Sequence, residues 1–113
     1  MKIINEALKL NELNQMAEAT FGNLVKAVVD VEREVIAVDA ELHSDLEALL
    51  LENGSKQKNL WGVNLYPEMQ GDDFVEFDSM INMRPSQGNR SRGIENEETR
   101  RKIIAIVAKR IKH

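Results

Sequence analysis

Leu24-Val25-Lys26-Ala27-Val28-Val29-Asp30-Val31-Glu32-Arg33-Glu34-Val35-Ile36-Ala37-Val38-Asp39-Ala40 decides the fold. Val25, Ala27, Val29 and Val31 alternate with Lys26, Asp30 and Glu32. A two-residue period belongs to a strand, whose side chains point to opposite faces in turn. Val35, Ile36, Ala37 and Val38 make a second strand-forming run. The two runs read as a hairpin turning at Glu32-Arg33-Glu34. That turn has no glycine or asparagine, so it leaves the register open.

Outward from the hairpin the period becomes helical. Leu10, Leu13, Met16, Ala17, Thr20 and Phe21 fall on one face, against Glu12, Asn14, Gln15 and Glu18. This predicts a helix over 10–21 with Gly22 as its stop, after a short strand at 2–5. On the other side, Leu42, Leu46, Leu49 and Leu50 predict a second helix, capped by Ser44 or Asp45 and ended by Asn53-Gly54. A rival hairpin, with strand 47–52 returning through 56–63, fits less well. Alanine, leucine and glutamate dominate 46–52, and these favour a helix.

Leu60–Tyr66 and Asp72–Arg84 read as a second hairpin around Glu68-Met69-Gln70-Gly71, each strand stopped by a proline. On the second of these, Val75, Phe77, Ile81 and Met83 share one face, and Met80 and Met83 are expected as core filler. A last helix begins at Asn96, with Glu97 and Glu98 in its first turn and Ile103, Ile104, Val107 and Ile111 as its buried stripe. The order helix, hairpin, helix, hairpin, helix predicts an α+β domain. It has an antiparallel sheet of about four strands, with three helices packed mainly on one face.

The totals agree with one domain over 1–113. The chain is 42% hydrophobic and 30% charged, with no cysteine and a net charge of −4. That composition is globular, it excludes disulfides and thiolate chemistry, and it suits a cytoplasmic location. No run approaches the roughly 20 apolar residues of a membrane helix, and the polar start reads as no signal peptide. The modest net charge hides an asymmetry. Of the 15 Lys and Arg and 19 Asp and Glu, nine and three lie in 84–113, a net of +6; six and sixteen precede them, a net of −10.

Three groups of residues carry chemical potential. The loop Arg84-Pro85-Ser86-Gln87-Gly88-Asn89-Arg90-Ser91-Arg92-Gly93 offers almost no apolar side chain to a core. Arg84, Gln87, Asn89, Arg90 and Arg92 form a candidate anion-binding set, because guanidinium forks match phosphate and carboxylate. The bland alternative is that these arginines pair with carboxylates of the acidic part and lock the last helix down. Glu41, His43 and Asp45 alternate, as do Glu76 and Asp78. If these sets met at one sheet edge, they would offer oxygen ligands and an imidazole to a divalent metal cofactor. Trp61, beside Gly62, is either a stacking platform or a core tryptophan. There is no phosphate-binding P-loop, no His-Glu-x-x-His and no nucleophile elbow.

Taken together, Glu41-Leu42-His43, Leu49–Ser55, Leu60-Trp61-Gly62-Val63-Asn64-Leu65-Tyr66-Pro67 and Asp78–Arg92 resemble a small prokaryotic family of unknown function, with members of about this length. The resemblance implies a compact, cytosolic, stand-alone protein and brings no catalytic residues. The residues themselves point first to a binding or regulatory module. It would use the arginine loop to hold an anionic group on a small ligand, nucleic acid or acidic protein, and it is expected to self-associate. The alternatives are a metal-dependent phosphoester hydrolase and a homodimeric interaction protein without a small-molecule site.

Overall fold

The computed structural model describes residues 1–113. Strand β1 (Lys2–Ile4) and the short β2 (Leu8–Lys9) lead into helix α1 (Leu10–Ala19). The hairpin β3 (Val25–Asp30) and β4 (Val35–Val38) follows, then α2 (His43–Glu52) and β5 (Leu60–Leu65). Strand β6 (Val75–Glu76), helix α3 (Glu97–Arg110) and β7 (Ile111–Lys112) complete the chain. The main sheet has five strands in the order β1-β4-β3-β5-β6, with every neighbouring pair antiparallel. The fold is α+β, as the sequence predicts, with one strand more than expected.

The helices divide between the two faces. Leu13 and Ala17 of α1 and Ile103, Ile106 and Val107 of α3 pack in one cluster with Val25, Ala27, Val29, Ile36, Val38 and Val63. Leu46 and Leu50 of α2 pack on the opposite face with Val28, Val35, Ala37 and Leu60. So two helices share a face, and α2 covers the other. A sheet covered on both faces needs continuous apolar strands rather than strict alternation, and β4 is buried along its whole length. Within α3 the buried stripe runs through Ile106 rather than Ile104, which is 44% exposed.

Turn chemistry settles what the hairpin leaves open. Asp30 Oδ1 accepts the amides of Glu32 and Arg33, both at 2.9 Å. A short carboxylate folding back on its own backbone replaces the missing glycine or asparagine. Glu34 takes the left-handed position at φ 56°, and Val35 pairs with Asp30. Lys109 binds the Glu34 carboxylate at 2.9 Å, and Arg110 Nε donates to its carbonyl.

The expected strand over Asp72–Arg84 is the main correction. Only Val75 and Glu76 pair with β5. Beyond them side chains finish the edge of β5. Gly62 donates its amide to Asn82 Oδ1 at 2.8 Å and accepts from Asn82 Nδ2 at 2.9 Å, so one side-chain amide stands in for a neighbouring peptide. Arg84 donates to the carbonyls of Leu60 and Gln57. The segment therefore leaves the sheet, with single 3-10 turns at Met80–Asn82 and Pro85–Gln87. Met80 and Met83 are exposed rather than core.

Candidate functional site

The start of α2 lies against β5 and the segment after β6, and there a pocket of about 370 Å³ opens. His43, Ser44, Lys26, Asn64, Asp78 and Arg92 supply its polar lining. Phe21, Leu42 and Met80, each more than a third exposed, add apolar surface. Lys26 and Asn64 are direct cross-strand partners on β3 and β5. Residues from five separate stretches of chain thus meet at one opening.

The geometry of each group has a local cause. His43 is the first residue of α2 and is 8% exposed. Its Nε2 lies 2.8 Å from the Val63 carbonyl. A carbonyl can only accept, so the neutral ring carries its proton on Nε2 and leaves Nδ1 as an acceptor. Burial holds the His43 pKa below its ordinary value; the charges of Lys26 and Arg92 push the same way, against the Val63 hydrogen bond and Asp78. Neither Ser44 nor Asp45 caps α2. Leu42 holds the cap position without a side-chain hydrogen bond; the Asp45 amide donates to the Leu42 carbonyl, and those of His43 and Ser44 are left unpaired.

Arg92 Nε donates to Asp78 Oδ1 at 2.8 Å, which fixes the guanidinium and leaves its terminal nitrogens without a protein partner. Lys26 Nζ sits 5.3 Å from the centre of the Phe21 ring and is in no ion pair. Asn64 Nδ2 donates to Glu76 Oε1 at 2.9 Å and more loosely to the Asp78 carbonyl at 3.4 Å. Tyr66 donates to the same Glu76 oxygen at 2.9 Å.

Of the anion-binding set, Arg92 alone lines this pocket. Arg84 lies 4.1 Å over the Trp61 ring, its guanidinium taken up by backbone carbonyls, and burial depresses its pKa. Gln87 donates to the Lys58 carbonyl. Asn89 is 3% exposed and ties the loop internally, donating to the carbonyls of Asn82, Ser91 and Gly93 and accepting from the Glu95 amide. The Arg90 side chain is in no hydrogen bond or ion pair, but its backbone amide and that of Ser91 bind Glu95 and lower the Glu95 pKa. The loop is an internally braced structure that delivers one arginine to the site. The bland alternative holds in part: Arg92 pairs with Asp78 of the acidic part, while Lys109 and Arg110 tie the last helix to it.

The metal set does not converge. Glu41, His43, Asp45, Glu76 and Asp78 form no group of three or more ligands able to hold an ion. Residues 43–45 begin a helix instead of continuing a strand, so their alternation has no face to share. Trp61 is 8% exposed within the core, with Arg84 over its ring. A second, more apolar hollow of about 300 Å³ lies between β6 and α3, lined by Phe74, Val75, Ile104 and Val107, and contains none of the groups above.

Over residues 2–110 the sequence matches a family described as a protein of unknown function, DUF5674. The chain belongs to that family. No curated protein and no solved structure matches it. No helix is long and apolar enough to cross a membrane. Membership brings no assigned activity, so the pocket is the firmest guide to chemistry. Lys26, Asn64 and the apolar trio Phe21, Leu42 and Met80 escaped the sequence reading. For Lys26 and Asn64 the signal was a polar residue in the interior of β3 and of β5; the apolar trio gave none.

Proposed function

We propose that this protein is a binding module that holds a small anionic ligand between Lys26 and Arg92. One observation carries the reading: Arg92 is fixed through Nε while its terminal nitrogens stay free, beside a lysine in no ion pair. A guanidinium held in place loses little freedom when its fork takes up a carboxylate or phosphate. The uncapped start of α2 adds the unpaired amides of His43 and Ser44 at the positive end of the helix dipole, with Asp45 the one acid of that turn. Arg92 is the one residue that the arginine loop contributes, and the rest of that loop positions it.

Titration calorimetry with pyrophosphate tests this reading. The native protein binds, and Arg92→Ala and Lys26→Ala each weaken binding at least tenfold while Tm shifts little. Raising salt weakens binding as well, because the cations are partly exposed and screened. No binding by the native protein, or equal binding by both variants, ends the proposal.

A further inference from the structure

We infer that the ligand is a small apolar carboxylate, its acid group met by Lys26 and Arg92 and its hydrocarbon body laid on Phe21, Leu42 and Met80. This rests on the anion-binding reading above and adds the charge and the polarity of what is bound.

Exposed apolar surface gathers at this opening. Eight large hydrophobic side chains of the chain are exposed, and three of them, Phe21 at 44%, Leu42 at 56% and Met80 at 64%, line the same pocket. Hydrophobic residues exposed singly are ordinary. Three around one pocket that also holds two cations make a surface with an apolar part and a charged part. The two parts adjoin, because the Lys26 ammonium lies 5.3 Å from the centre of the Phe21 ring, within reach of cation–π attraction. An acid group held by the lysine therefore sets the body attached to it beside that ring. An inorganic anion would meet the cations and leave the apolar side chains in water.

Charge selects the acid group. Lys26 and Arg92 bring two positive charges to the lining and Asp78 one negative, a net of +1. Glu76 stands next to the lining, accepting from Asn64, and adds a further negative charge. One anionic charge suits such a site better than two. A carboxylate, with an ordinary pKa of about 4, carries a single charge at neutral pH. A phosphate monoester carries about −1.5 to −2 and sets the excess beside Asp78 and Glu76. Phosphates still bind through the same two cations, but less tightly. The terminal nitrogens of Arg92, free because Nε holds Asp78, present a planar fork that matches a carboxylate. The pocket of about 370 Å³ lies within the range of small-molecule sites, roughly 300–1,000 Å³.

Calorimetry with acetate, hexanoate, hexanamide and hexyl phosphate tests the inference beside pyrophosphate. Hexanoate binds at least tenfold tighter than acetate, because its methylenes leave water. Hexanamide, which keeps the body and lacks the charge, binds at least tenfold more weakly than hexanoate, and hexyl phosphate also binds more weakly. Leu42→Gln and Met80→Gln each lower the ratio of hexanoate to acetate affinity at least threefold. If hexanoate gains nothing over acetate, or keeps its whole gain in both variants, while Arg92→Ala still abolishes pyrophosphate binding, the inference fails and the anion site stands. Hexyl phosphate binding tighter than hexanoate overturns the carboxylate assignment, and hexanamide binding as tightly as hexanoate overturns the need for charge. If neither hexanoate nor pyrophosphate binds, both readings fall.

Discussion

Gly62 has no Cβ, and one built on its backbone would sit 2.6 Å from both Cβ and Oγ of Ser79. The bare backbone lets Ser79 press against β5 and places Asn82 to pair with the Gly62 peptide. Gly62→Ala is expected to destabilise the fold by about 1–3 kcal/mol through overpacking, and Ser79→Gly to recover part of that loss in the double variant. Urea melts of the four proteins measure the coupling, and strict additivity would mean the contact is not the cause. His43 gives a residue-level pH dependence. Its folded pKa lies below the ordinary 6.5, so the unfolded chain takes up the proton first as pH falls. The stability from neutral His43 is complete above about pH 6.5 and is lost as pH falls below it. Tm should decline as pH falls below about 6.5, and His43→Gln should flatten that decline. Glu34 and Glu95, whose pKa values lie below 4.5, act only at lower pH.

At the scale of elements, what could be read from sequence followed from where the partners lie. Helix α3 was legible because its signals are local. Asn96 caps it, accepting from the Thr99 amide at 2.9 Å, and Glu97 pairs with Arg101 one turn on. Helix α2 stops where Asn53-Gly54 predicts, with Gly54 at φ 100°. The segment after β6 misled because Val75, Phe77, Ile81 and Met83 keep a strand's period in sequence, but the backbone leaves the sheet: Val75 and Phe77 pack with one cluster, Ile81 with the other, and Met83 is exposed. Periodicity does not report whether a peptide or an asparagine amide meets the neighbouring strand. The site was half legible for the same reason. His43, Asp78 and Arg92 carry conspicuous chemistry, whereas Lys26 and Asn64 looked like ordinary solvent-facing positions until α2 covered that face. The arginine loop makes its own prediction. Asn89→Ala strands the carbonyls of Asn82 and Gly93 and the amide of Glu95, and should cost on the order of 3 kcal/mol. Arg90→Ala, which removes a guanidinium in no hydrogen bond or ion pair, should change stability by less than about 0.5 kcal/mol. Equal costs in denaturant melts would contradict the bracing role of Asn89.

Across the whole molecule, the acidic and basic stretches of sequence meet at a few points rather than along a broad seam. Lys109 reaches Glu34, Arg110 reaches the carbonyls of Glu34 and Glu6, and Arg92 reaches Asp78. Exposed pairs of this kind contribute about 0–1 kcal/mol each, so cohesion comes mainly from the two apolar clusters. The small parallel ladder of β2 and β7, pairing Leu8 with Ile111, draws residues far apart in sequence onto the main cluster. Ile111 is 1% exposed, and Ile111→Ala should cost about 2–5 kcal/mol. A loss below about 1 kcal/mol in a urea melt would place that ladder outside the cooperative unit. The edge of β5 has a further consequence, best put in the language of polymer growth. A folded sheet propagates into a fibre only if each unit can add a strand at both ends, as a monomer needs two reactive groups to extend a chain. Here the β5 end is occupied by the chain's own Asn82 and Arg84, with only the two residues of β6 beyond. Any strand addition is therefore left to the three-residue β1 edge. A unit with one reactive end can couple once, and then it terminates growth.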